Sequence, residues 1–418
     1  MGRFTFTTHT ASDASGTAYN TATACFPELH GKEWYRTRGF KEIALLYGSV
    51  EQSYRKTSTL INRIRHQPKA TPARTLQEVS EREGQRIAAA LEHKADQILS
   101  KAGFTEEGTP QRSNARYGPK QPYRLKPKVV VTAAAACGAE PDWQPEIQAN
   151  PVAYEDPSRS VNVSIDDVGV KQQKEQRSPA TKPPAAPEAP AAAAPEASRK
   201  YVHNTVAHIQ KEETAYTLNG HGSVAVLRLV IALLCFNDLL GYNLIFFVDG
   251  QRTLHAAIVA ACAWFRHMQI ILDWYHLQKK CEQQLSLALA GRAIRNQVLE
   301  TLLKLLWYGL VERAIQYLQT LPADQIKHAA AFQVMIGYLE RHKRCIPAYA
   351  VRQALGLRNS SNLGEKQNDL IVSERQKHNG MSWSKNGSVG LATLTAAIQN
   401  DEAPTWLKKG QMAFKLAA

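Results

Sequence analysis

Three acidic residues in this chain could hold a metal ion: Asp166, Asp249 and Glu365. Asp166 lies in residues 160–170 (SVNVSIDDVGV), where Val161, Val163 and Ile165 alternate with Asn162, Ser164 and Asp166. That period of two predicts a strand with the acid on its polar face. Asp249 follows the unbroken apolar run 243–248 (NLIFFV) and precedes Gly250. Such a run predicts a strand covered on both faces, and open α/β sheets bind ligands beyond the carboxyl ends of their strands. Taken alone, Asp249 reads equally well as a helix N-cap. If the two strands are neighbours, their carboxylates converge. Hard carboxylates with open coordination positions suit Mg²⁺ (or Mn²⁺), which keeps several waters and takes phosphate oxygens as further ligands.

The third acid must come from further along. Residues 360–368 (SSNLGEKQN) open a helix. Asn362 with Glu365 three residues on is a capping-box arrangement. The same spacing puts Glu365 and Asn368 on one helical face, where they could approach the two aspartates.

The elements that must position these residues follow the same logic. After the first strand come a second over 201–209, a polar turn at 211–214 and a third over 215–218, together an antiparallel meander. An apolar helix over 224–240 leads to the 243–248 strand, a helix over 252–262 and a last strand over 268–272. Residues 277–353 read as helix, with a stop near Pro322. The order β-β-β-α-β-α-β followed by helices is that of a ribonuclease-H-like domain. The fold class expected is therefore α/β, with an all-helical insertion and a mainly helical region in front.

Composition narrows the partners. The net charge is +14, from 51 Lys plus Arg against 37 Asp plus Glu. An excess of that size favours a polyanionic partner, because basic side chains release counterions from phosphate backbones; a solvated basic surface is the plainer explanation. Six scattered cysteines with no C-x-x-C pair argue against a disulfide framework or a structural zinc. The longest apolar run, 224–236, is interrupted by Arg228 and too short to span a bilayer, so no membrane partner is expected.

The acids and their surroundings resemble the mutator-like DDE transposases of bacterial insertion sequences. Asp166-Asp167-Val168-Gly169-Val170-Lys171 is similar to the family's first element, and Phe246-Phe247-Val248-Asp249-Gly250 to its second. A Cys-x-x-His element is matched by Asp273-Trp274-Tyr275-His276, with aspartate in place of cysteine. Asn362, Glu365 and Asn368 match the family's Asn-x-x-Glu-x-x-Asn, and Met381-Ser382-Trp383-Ser384 with Gly387 resembles related bacterial transposases. The likeness runs over about 161–394. It implies a catalytic and metal-binding triad of Asp166, Asp249 and Glu365. Asp167, Asp273, His276, Asn362 and Asn368 are implied as accessory residues, Asp167 being an alternative first acid. It further implies phosphoryl transfer on DNA ends and target DNA, a homo-oligomer on DNA, and a cytoplasmic, nucleoid-associated location. Two other readings keep part of this: a ribonuclease-H-like nuclease or resolvase without strand transfer, and a non-catalytic DNA-binding derivative. The separations are 83 residues (249 − 166) and 116 (365 − 249), which leaves room for a loop and a helical insertion.

The domain plan expected is a helical, helix-turn-helix-like DNA-binding region over 1–105 and a connector over 106–155. A core follows over 156–276, then the helical insertion over 277–355 and the third-acid region over 356–418. In the first region, a helix over 40–47, a break at Gly48-Ser49 and a basic helix over 53–64 outline the motif, although an ordinary bundle has the same outline. Arg55, Lys56, Arg63 and Arg65 are the expected DNA contacts, with Ser53 or Thr57 reaching base edges. Thr75 and Glu78 look like a capping box for a further helix over 76–99. Residues 178–199 are mostly Pro, Ala and Glu, a composition that predicts a disordered loop inside the core. Deleting residues 180–197 should leave the unfolding midpoint and DNA activity almost unchanged, since lengthening a flexible loop adds little closure cost. Thermal denaturation checks this; a large loss of stability would mean that the segment is packed.

Overall fold

The computed structural model describes residues 10–20, 38–51, 53–112, 114–138, 140–145, 147, 152, 154–173, 200–377 and 381–416. The Pro/Ala segment lies outside them. One sheet has five strands: β1 (Ser160–Lys171), β2 (Tyr201–Lys211), β3 (Thr214–Gly220), β4 (Asn243–Val248) and β5 (Gln269–Leu272). Their spatial order is β3-β2-β1-β4-β5. β1, β2 and β3 form an antiparallel meander, while β4 runs parallel to β1 and β5 parallel to β4. β4 is buried at every residue, as its apolar run requires.

Helix α1 (Arg38–Val50), α2 (Tyr54–Ile64) and α3 (Ala73–Lys101) precede the sheet, and α4 (Pro127–Ala136) leads towards it. Helix α5 (Ser223–Phe236) connects β3 to β4, and α6 (Arg252–Ala261) connects β4 to β5. Beyond β5, α7 (Trp274–Ala288), α8 (Arg292–Trp307), α9 (Val311–Gln319) and α10 (Ala329–His342) pack each against the next, and α10 returns onto α7. Then come α11 (Tyr349–Ala354) and α12 (Asn362–Asn368). The chain continues through a π-turn at Asp369–Ser373 into α13 (Glu374–Gln376), before α14 (Lys385–Gln399) and α15 (Ala403–Lys409).

Several local expectations change. α1 runs straight through Gly48-Ser49 to Val50, and α2 begins at Tyr54. Gly48 serves packing, since a Cβ there would meet Ser80 Oγ at 2.8 Å. Thr75 and Glu78 form no capping box. α3 starts earlier, with Pro72 as N-cap and no side-chain cap, and Glu78 pairs with Arg74 at 3.0 Å. The connector is tied down at two points: Tyr117 bridges Phe265, and the Asn243 side chain bonds both the N–H and the carbonyl of Tyr123.

The N-terminal helices share one apolar core with the sheet. α3 packs against both α5 and α14, which cover β2 and β3. The α3–α14 contact is backbone to backbone: a Cβ on Gly84 would sit 1.9 Å from the Gly390 carbonyl oxygen. Arg375 and Trp383 fasten the same junction. The Arg375 guanidinium lies 4.5 Å from the Tyr54 ring centroid and 5.3 Å from that of Trp383, and its Nε donates to the Gly48 carbonyl. Ser384 caps α14 by accepting from the Gly387 N–H. The outer edge of β3 is closed by Asn400, which pairs with the N–H and carbonyl of Thr217, both at 2.8 Å. Gly84→Ala should force α3 off α14 and cost about 1–3 kcal/mol of unfolding free energy, the usual range for an overpacked contact. A urea midpoint equal to wild type would contradict the close approach.

Candidate metal centre

The register of the sheet sets the acids side by side. Ser164 pairs with Phe247, and Val248 pairs with Leu272. Carried on along the same strands, Asp249 falls level with Asp166, and Asp273 level with Asp249. Three acidic residues therefore stand in a row, Asp166 on β1 and Asp249 and Asp273 just past the ends of β4 and β5. Asp166 and Asp167 point to opposite faces, as adjacent strand residues must. Asp167 accepts a hydrogen bond from the Thr205 hydroxyl on β2, so it turns away from the row.

Helix α12 lies on the Asp166 face. Asn368 Nδ2 donates to Asp166 Oδ2 at 3.0 Å. Gly364 lets the helix approach, since a Cβ there would be 2.5 Å from Ser164 Cβ. Glu365 sits three residues before Asn368, one turn along the same helical face. The helix does not start as a capping box: Ser361 occupies the N-cap position with no side-chain cap, and Asn362 is an exposed first residue. The π-turn follows Asn368 directly, a widening often found beside functional sites.

Asp249 is not the N-cap of α6 either, a place taken by Gln251. Its Oδ1 accepts from the Gln251 N–H at 2.8 Å. Gly250, at φ +88°, turns the chain immediately after it.

Asp273 has a different task. It is fully buried and caps α7, accepting from the His276 N–H at 2.9 Å. Its other oxygen accepts from the N–H and the hydroxyl of Ser361, the hydroxyl at 2.9 Å. Burial pushes this carboxyl up, but the contacts from His276 and Ser361 hold it below its ordinary value. His276 Nδ1 stands 3.2 Å from Asp273 Oδ1 and 3.4 Å from Glu365 Oε1. Neither oxygen lies where the ring N–H would need it for a hydrogen bond, so these are charge contacts. Ligand atoms of Asp273, His276 and Glu365 lie within 4.8 Å of one another, a spacing that could hold a cation, whereas among the described residues Asp166 and Asp249 form no such group with Glu365. With both Asp273 oxygens engaged by His276 and Ser361, we read this trio as the brace that holds Glu365. The contact with Asp273 is also the chief reason why the His276 pKa is raised.

Asp166 carries the electrostatic signature of the centre. Burial, and then the charge of Asp249, push its carboxyl up to about 6. Two carboxylates sharing a partly buried spot form a site that a divalent cation relieves. Around it, Ser164 Oγ, Tyr338 Oη and Glu365 Oε1 are buried without hydrogen-bond partners among the described residues. Donors and acceptors left open beside paired acids fit a hydrated Mg²⁺ or Mn²⁺. Ser361, Gly364 and Tyr338 are invisible to motif reading, because their roles depend on what the fold brings next to them.

The expected DNA contacts are elsewhere, on α2. Arg55, Lys56 and Arg63 are exposed. Arg65 is half-buried, with Nη1 donating to Thr71 Oγ1 at 3.1 Å. Thr57 cannot reach a base edge, since it is buried and its hydroxyl bonds the carbonyls of Tyr47 and Ser53. Ser53 caps α2 through the Lys56 N–H. Arg63, His66 and Lys69 border an open groove of about 660 Å³ at the end of α2. No helix among the described residues is long and apolar enough to cross a membrane.

No protein-family model matches the chain, and no curated protein matches it. Among solved structures it is similar to the Drosophila P element transposase strand transfer complex, at 12% identity over 94% of this chain and 85% of that one, with a TM-score of 0.25. It is also similar to the Mos1 transposase paired-end complex with left transposon end, at 9% identity over 82% and 99%, with a TM-score of 0.17.

The raised Asp166 pKa gives a signed prediction. The folded carboxyl holds its proton more tightly than the unfolded one, whose value is 3.8. In metal-free buffer this group therefore costs stability progressively as the pH rises from about 4 to about 6. Asp166→Asn should remove that decline and raise stability above pH 6 by up to about 3 kcal/mol. Chemical denaturation with chelator present tests this; a variant less stable than wild type at pH 7.5 would contradict it.

Proposed function

We propose that this chain is a DNA transposase with a ribonuclease-H-like catalytic domain, in which Asp166, Asp249 and Glu365 hold Mg²⁺ or Mn²⁺. The observation that carries the reading is the bond from Asn368 to Asp166, which holds the helix of Glu365 against the strand of Asp166. The β3-β2-β1-β4-β5 order with an antiparallel meander supports the fold assignment. Divalent cations held by these acids would supply Lewis-acid activation of a water or DNA 3′-hydroxyl and would stabilise the leaving oxygen.

The protein's own residues do the positioning. Asn368 orients Asp166, the Gln251 N–H orients Asp249, and the Asp273–His276 brace holds Glu365. None of the acids needs to form a covalent intermediate. The +14 net charge and the exposed Arg55, Lys56 and Arg63 supply a surface for DNA phosphates. The resemblance to mutator-like transposases of bacterial insertion sequences makes the element's own ends the substrate, a homo-oligomer on paired ends the working form and the bacterial cytoplasm its place.

The test uses DNA flanking the gene, which should carry short inverted repeats. With Mn²⁺, the full chain should nick labelled flank DNA to leave 3′-hydroxyl ends and join them to a target plasmid. Asp166→Asn, Asp249→Asn and Glu365→Gln should each abolish both steps while retaining DNA binding. Cleavage without joining would favour a nuclease or resolvase, and cleavage surviving any of the three substitutions would overturn the triad.

A further inference from the structure

Tyr338 lies on α10, in the helical segment after the sheet, and is 5% exposed. Its hydroxyl is buried with no hydrogen-bond partner among the described residues. Leaving such a group unpaired costs about 1–3 kcal/mol, so its placement calls for a reason. The hydroxyl presses on the turn that follows Asp249: a Cβ on Gly250 would lie 2.6 Å from it. Asp249 Oδ1 is engaged by the Gln251 N–H. No bond holds its Oδ2 among the described residues.

Resting on the metal-site reading above, we propose that Tyr338 is a positioning residue for Asp249. Its hydroxyl donates to the second carboxylate oxygen of Asp249 when that carboxylate turns to ligate a divalent cation. α10 thereby contributes to the centre although it carries none of the acids. Gly250 is required on this account: any side chain there would collide with the hydroxyl and with Leu272, whose Cδ1 would lie 3.1 Å from the added carbon.

Tyr338→Phe separates this role from a structural one. It removes only the oxygen and keeps the ring that packs 4.6 Å, centroid to centroid, from His342. In metal-free buffer the variant should melt at or above the wild-type temperature, because an unpartnered buried hydroxyl is lost. Its Mn²⁺ affinity, measured by calorimetry, should fall by about tenfold, the effect of one hydrogen bond to a charged group. The Mn²⁺-induced rise in melting temperature should shrink accordingly. A lower metal-free melting temperature would show that the hydroxyl is already paired in the fold, and would overturn the proposal. Unchanged Mn²⁺ affinity would also overturn it while leaving the metal centre intact. If wild-type protein binds no Mn²⁺, the metal-site reading itself fails, a result distinct from the other two.

Discussion

Two carboxylates held level on adjacent parallel strands repel each other, and much of the surrounding structure keeps Asp166 and Asp249 in that position. The strands cannot slip, because a shift of one residue would turn every apolar side chain of β1 to the wrong face. β4 is buried along its length and locks the register from the other side. Burial, and after it this repulsion, pushes the Asp166 carboxyl up to about 6. On the proposed function, a site that stores repulsion in the metal-free protein would gain correspondingly on binding a cation.

The third acid arrives by a longer route, and buried polar contacts guide it. Arg352 and Glu155 form a fully buried bidentate pair at 2.6 Å, and Arg352 also donates to the Arg358 carbonyl. This pins the loop between α11 and α12 to the chain just before β1. Asp273 then takes the Ser361 N–H and hydroxyl, fixing the start of α12. Removing one partner of a buried pair leaves an uncompensated charge, a far larger penalty than the pair's net worth. These contacts act as specificity devices for the position of α12.

The sheet was legible because its pattern is local. Alternation in β1 and the unbroken apolar run of β4 are set by the two faces they must bury, and the observed strands start at the expected residues, Ser160, Tyr201 and Asn243. Asp166 and Asp249 stood out as candidates through their places on β1 and just past β4, and Glu365 only through its spacing from Asn368 on a helix. The failures share a cause. Gly48-Ser49 looked like a turn, yet the glycine is there for its neighbour Ser80; Thr57 looked free to read bases, yet it packs under Tyr47. Asn362 and Glu365 looked like a capping box, but Ser361 takes the N-cap position and Asp273 holds that residue. Likewise Gly84, Gly364 and Tyr338 have meaning only against partners distant in sequence, and no spacing rule exposes them.

Mn²⁺ titration followed by electron paramagnetic resonance tests the central claim most directly, because it counts bound cations without requiring the correct DNA. Wild-type protein should hold Mn²⁺ tightly, and Asp249→Asn should lose that site while its circular dichroism stays native. Asp167→Asn should keep the site, since Asp167 faces Thr205 across the sheet. Tight binding that survives Asp249→Asn, or that disappears equally in Asp167→Asn, would contradict the account.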